Sequence, residues 1–101
     1  MKNWTIHEAL HWLLNQCRER EALIDLTGTG SELAPSGDMI RKAIDYTPRE
    51  AFESGQKLVR VHGQGNIDAI DRVVVSITEL GKKLLQKRER ELEGGEGDGN
   101  G

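Results

Sequence analysis

Residues 57–92 read KLVRVHGQGNIDAIDRVVVSITELGKKLLQKREREL, and how this stretch divides decides the fold. Leu58-Val59-Arg60-Val61 and Arg72-Val73-Val74-Val75-Ser76-Ile77 are rich in β-branched residues, which suit a half-buried pleated surface. Between them lie Gly63, Gly65 and Asn66, residues that tolerate positive φ in a turn. After Ile77 the period changes from two to that of a helix. Thr78 is a cap residue, and Leu80, Leu84 and Leu85 recur at helical spacing among Lys, Arg and Glu. The stretch therefore predicts a β-hairpin with a helix grown from its second strand.

The whole chain has 101 residues, enough for one domain with one modest core. Apolar residues make up 36%, which permits such a core, and charged residues 31%, which implies a well-solvated surface. Net charge is −3, unevenly spread: Glu91, Glu93, Glu96 and Asp98 crowd the last 11 residues, and residues 1–90 hold 14 basic and 13 acidic side chains. The folded part is near neutral, which neither opposes nucleic-acid binding nor supplies a basic signature for it. Cys17 is alone, so neither a disulfide framework nor a thiolate zinc cluster is available. No apolar run approaches a membrane span and no signal-peptide core is present; the expectation is a reduced, cytoplasmic protein without a membrane partner.

Upstream, Thr5-Ile6-His7-Glu8 has capping-box spacing, opening a helix over residues 5–21. Ile6, Ala9, Leu10, Leu13, Leu14 and Cys17 form its inward stripe, and Trp12 lies on the other side. A large aromatic there calls for a partner, a second layer or a tail folded over it. Leu23-Ile24-Asp25-Leu26-Thr27 reads as a short strand. The following Gly28-Thr29-Gly30-Ser31 lacks the Gly-Lys-Ser/Thr ending of a phosphate loop and reads as a turn. A second helix covers residues 38–46. Thr47-Pro48-Arg49-Glu50 then restarts a third over residues 48–54, with Thr47 as cap, Pro48 at N1 and Gly55 as the stop.

The order helix, strand, helix, helix, strand, loop, strand, helix is that of a small α+β winged helix-turn-helix domain with a C-terminal helix. Asp71-Arg72-Val73-Val74-Val75-Ser76-Ile77-Thr78-Glu79-Leu80-Gly81 resembles the segment of MarR-type transcriptional regulators running from the wing to the dimerisation helix. There an Asp-Arg pair closes the wing and "Leu-Thr-Glu-x-Gly" opens that helix. Leu58-Val59-Arg60-Val61 is similar to the strand leading into the wing. The resemblance spans residues 58–85 and implies DNA binding as a homodimer. Residues 28–54 carry no recognisable helix-turn-helix of that family. A second resemblance competes: Val61-His62-Gly63-Gln64-Gly65 followed by Ala69-Ile70-Asp71-Arg72 is similar to the strand-Gly-x-Gly-helix step of Alba-like nucleic-acid-binding proteins. That reading makes residues 68–90 one helix, against which Val73-Val74-Val75 is a poor helix interior.

The resulting expectation is one winged-helix domain over residues 1–93, with a dimerisation helix at 78–93 and a disordered Gly-rich acidic tail at 94–101. It acts as a homodimeric regulator of transcription bound to double-stranded DNA. Candidate DNA contacts are Arg41 and Lys42 on the second helix, Arg49 on the third, and Arg60, His62, Gln64, Asn66 and Arg72 on the wing. Candidate dimer or partner contacts are Trp12, Leu80, Leu84 and Leu85. The alternative is a winged-helix protein-interaction module, such as a phage or mobile-element factor docking on host machinery. A third reading takes His7-Glu8-Ala9-Leu10-His11 as H-E-x-x-H, a zinc-peptidase motif, but only six residues precede it and Glu8 already has a capping role. No Ser/His/Asp or Cys/His constellation is visible in the sequence. The expectation is therefore no enzyme, no cofactor and no metal.

Overall fold

A computed structural model describes residues 3–63 and 69–97, with side chains through Glu91. The elements are α1 (Ile6–Gln16), β1 (Ala22–Asp25), α2 (Gly37–Ile44), a 3₁₀ turn (Arg49–Ala51), β2 (Val59–His62), β3 (Arg72–Ile77) and α3 (Glu79–Gly97). The described residues form a small α+β fold with three α-helices and one antiparallel sheet of three strands, in the order β1-β3-β2. Residues 57–92 thus divide as a hairpin and a helix: β2 and β3 pair antiparallel, with Val61 opposite Val75. This removes the alternative of one helix over residues 68–90. Three consecutive valines lose too much χ1 freedom in a helix and fit a central strand instead.

Helix α1 opens with the capping box expected from its sequence. The Glu8 amide donates to Thr5 Oγ1 at 3.1 Å and the Thr5 amide donates to Glu8 Oε1 at 3.0 Å. It stops at Gln16 rather than reaching residue 21. The apolar stripe ends at Cys17, and Arg18-Glu19-Arg20-Glu21 offers nothing to bury, so packing no longer holds the helix. Ser36 caps α2 by accepting from the Met39 amide.

The third helix is the main departure. Instead of a helix over residues 48–54 there is one 3₁₀ turn, and Pro48, extended at ψ 154°, stands at its cap position without a side-chain cap bond. Pro48 and Ala51 are buried, but Phe52 is 65% exposed. A helix this short needs an apolar face against the core, and a proline at its start with one alanine does not provide it. Gly55 closes the turn at φ +69°, its amide donating to the Ala51 carbonyl.

All three helices lie on one side of the sheet. Ile24 of β1, Val59 of β2 and Val73 and Val75 of β3 share one core with Leu10, Leu13 and Leu14 of α1, Ile40, Ala43 and Ile44 of α2, and Leu85 of α3. These strand residues have one parity, so the alternate residues face away from every helix. Helix α3 leaves β3 through Thr78. Its hydroxyl accepts from the Gly81 amide at 3.0 Å and lies 2.9–3.0 Å from the Lys57 and Leu58 carbonyls, tying the cap of α3 to the start of β2. Among the described residues no helix is long and apolar enough to cross a membrane. Helix α3 includes residues 94–97, which the sequence reading gave to the tail; residues 98–101 lie outside the described residues.

Candidate nucleic-acid interface

The uncovered face of the sheet carries the hairpin's polar residues. Register places Arg60 opposite Ser76 and His62 opposite Val74, and Val74 is flanked on its other side by Leu23. Arg72 stands opposite Asp25 at the β1 side. Arg60, His62, Arg72, Leu23 and Asp25 are all exposed, and Leu23 is 63% so. The face therefore has a small apolar centre, Leu23 and Val74, inside a rim of both charges.

Two interactions organise this face. His62 Nε2 lies 2.8 Å from Ser76 Oγ and 3.6 Å from a carboxylate oxygen of Glu21, the residue just before β1. Serine, histidine and glutamate are thus brought together, although the sequence separates them widely. Both contacts fall on the same ring nitrogen. A nucleophilic relay needs the hydroxyl on one nitrogen and the carboxylate on the other, so this cluster braces the hairpin against β1 and is not a catalytic triad. The other interaction involves Asp25. The hydroxyl of Thr27, 2.6 Å away, and its amide, 2.8 Å away, hold the Asp25 carboxyl below the ordinary carboxylate range, and the Arg72 cation adds to this.

The remaining candidate contacts do not join this face. Arg41 is engaged within the fold: its guanidinium donates to the Ile70 carbonyl at 3.1 Å and pairs with Asp38 at 3.2 Å. That ties α2 to the chain just before β3. Lys42 on α2 and Arg49 on the 3₁₀ turn are exposed, but they belong to the helical side of the sheet. Gln64 and Asn66 lie outside the described residues. The five arginines and lysines expected to form one DNA-facing set therefore divide: Arg60 and Arg72 on the open face, Lys42 and Arg49 elsewhere, Arg41 tied down.

The candidate partner contacts also change meaning. Trp12 is half-buried beneath the chain's own loop, its indole N–H donating to the Leu33 carbonyl at 3.1 Å. Trp4 does the same to the Ser31 carbonyl at 2.6 Å. What covers Trp12 is thus the chain's own loop after β1, which the two indoles hold at Ser31 and Leu33. Leu85 is 3% exposed in the chain's own core, so it is not available to a second copy; Leu80 and Leu84 are half-buried beside it. Helix α3 packs back along α1, and Arg18 pairs with Glu89 between them.

For the histidine motif, Glu8 is occupied as a cap, and among the described residues no group of three His, Cys, Asp or Glu side chains is placed to hold a metal ion. The zinc reading lacks its third ligand there. Cys17, buried with its thiol 3.4 Å from the Leu13 carbonyl, is a core group whose pKa burial pushes up to about 11. Glu21 and Ser76 are the residues of the open face that sequence reading missed. The signal was present in the parity of β3, since Ser76 is four residues from Arg72 and must share its face. Compared with protein-family models, with curated proteins and with solved structures, the chain matches none.

Proposed function

We propose that this chain is a winged-helix-type domain that binds double-stranded DNA through its hairpin rather than through a recognition helix. One observation carries the reading: Arg60, His62 and Arg72 share the open face of the hairpin, and among the described residues no helix covers them. The element order and the sheet order β1-β3-β2 support the winged-helix part. The 3₁₀ turn that occupies the recognition position has Arg49 between Pro48 and Glu50, too short to lie in a major groove and partly acidic. The hairpin arginines instead meet phosphates, which positions a duplex without reading its sequence.

A second reading has its own support. The apolar pair Leu23 and Val74, ringed by Arg60, Arg72, Glu21 and Asp25, has the anatomy of a protein contact: an apolar centre with a charged rim. The two are separated by titrating a labelled duplex at 50 and 200 mM salt. Hairpin binding to phosphates weakens steeply with salt, and Arg60→Gln with Arg72→Gln lowers the log–log slope by roughly two phosphate contacts, about 1.8. Absence of binding at 50 mM salt removes the DNA reading. A protein partner lost on Leu23→Asp then becomes the reading to pursue.

A further inference from the structure

Among the described residues His7 and His11 join no metal-binding group, yet they line a cavity. With Tyr46 and Glu50 beyond α2, and Leu84 and Arg88 of α3, they border a partly open space of about 210 Å³ floored by Leu10, Leu14 and Pro48. A water occupies roughly 30 Å³ in the liquid, so the space admits a tetrahedral anion with part of its hydration shell.

The groups around it are unbalanced in a particular way. Arg88 is half-buried, and among the described residues no carboxylate lies within ion-pair distance of it; its neighbour Glu89 pairs with Arg18 instead. A cation withdrawn from water without a counter-ion is a standing cost. His11 is half-buried on the facing helix, and its pKa is lowered by burial first and by Arg88 next, with Arg18 adding and Glu89 opposing. Two cationic or potentially cationic groups thus share one space, and of the carboxylates near it Glu89 is taken up by Arg18. Glu50 is the lining carboxylate, and it is not among the charges acting on His11. The Asn15 amide lies 3.4 Å from His11 Nε2, and accepting from it leaves Nδ1 as the N–H of the neutral ring. His7 stands edge-on to Tyr46, ring centroids 5.9 Å apart, which keeps a second imidazole at the cavity wall.

We propose that this cavity binds a small oxyanion of the phosphate class, with the Arg88 guanidinium as its charge partner and the His11 and His7 imidazoles as hydrogen-bond donors. The site lies on the helical side and is independent of the hairpin reading. Arginine matches the geometry of an oxyanion with paired N–H groups, and the imidazoles supply donors without requiring protonation.

The test follows the imidazole resonances of His7, His11 and His62 by NMR while inorganic phosphate is added at pH 7, with sodium chloride at equal ionic strength as the control. His62, on the open face, reports any phosphate held by the hairpin instead. Saturable shifts at His7 and His11 that depend on Arg88 are expected, and any shift at His62 does not depend on it. Arg88→Gln weakens the response at least tenfold, and Arg88→Lys, which keeps the charge and answers the question should the glutamine variant not fold, weakens it less. Bound phosphate also moves the His11 titration midpoint upward against Arg88 and Arg18. The proposal is overturned if neither His7 nor His11 responds, or if Arg88→Gln responds as the wild type does.

Discussion

Cys17 shows how one atom's surroundings set its chemistry. The sequence placed it on the inward stripe of α1, and the structure buries it to 1% exposure. Burial pushes its thiol from the ordinary 9.0 up to about 11. The unfolded state therefore loses its proton around pH 9, while the native state keeps it until about pH 11. Stability contributed by the neutral thiol is complete below that window and declines through it, by about 1.4 kcal/mol per pH unit. Urea midpoints at pH 7.5, 9 and 10.5 should fall faster for the wild type than for Cys17→Ala, since other titrating groups are common to both. Parallel curves would show that the thiol is not held neutral. His11 has the opposite sign. Its lowered pKa means that its contribution is present above the ordinary histidine range and fades as pH falls through it.

At the scale of elements, the hairpin, α1 and α2 were legible because each satisfies itself locally: a capping box, a run of β-branched residues, a stripe at helical spacing. The third helix was not, although its Thr-Pro-Arg-Glu opening has the signature of a helix start. Local capping cannot compensate for Phe52 pointing into solvent with little beyond Pro48 and Ala51 buried. Nor does sequence pattern show why Gly81 opens α3. A Cβ at that position would stand 2.2 Å from the Leu58 carbonyl and 2.9 Å from Ile77 Cγ1, so the glycine is what lets α3 cross the start of β2. Gly81→Ala must push backbone from backbone, and we expect a loss of about 2–3 kcal/mol. In a domain of this size that lowers Tm by roughly 8–24 °C. Gly28→Ala, where nothing lies within 4 Å, serves as the control and should stay near the wild type in the same melts. Equal melting of the two variants would contradict the crossing.

For the whole molecule, near-neutral charge conceals how the charges are placed. Sequence alone gave five cations as one prospective surface. The fold divides them because parity sends Arg60 and Arg72 away from the helices, while Arg41 is drawn inward to the Ile70 carbonyl. The leucines of α3 and the indole of Trp12, which read as contacts for another molecule, close the chain's own core and loop. What remains outward is the hairpin face. Its composition also explains why sequence undervalued it: Glu21 and Ser76 look unremarkable until strand register sets them beside His62. The most direct test is an amide chemical-shift map of the labelled protein with a duplex at low salt. The account predicts perturbations centred on Arg60, His62, Arg72 and Ser76, with Lys42 and Arg49 quiet. Perturbations centred on Lys42, Arg49 and Phe52 would contradict it.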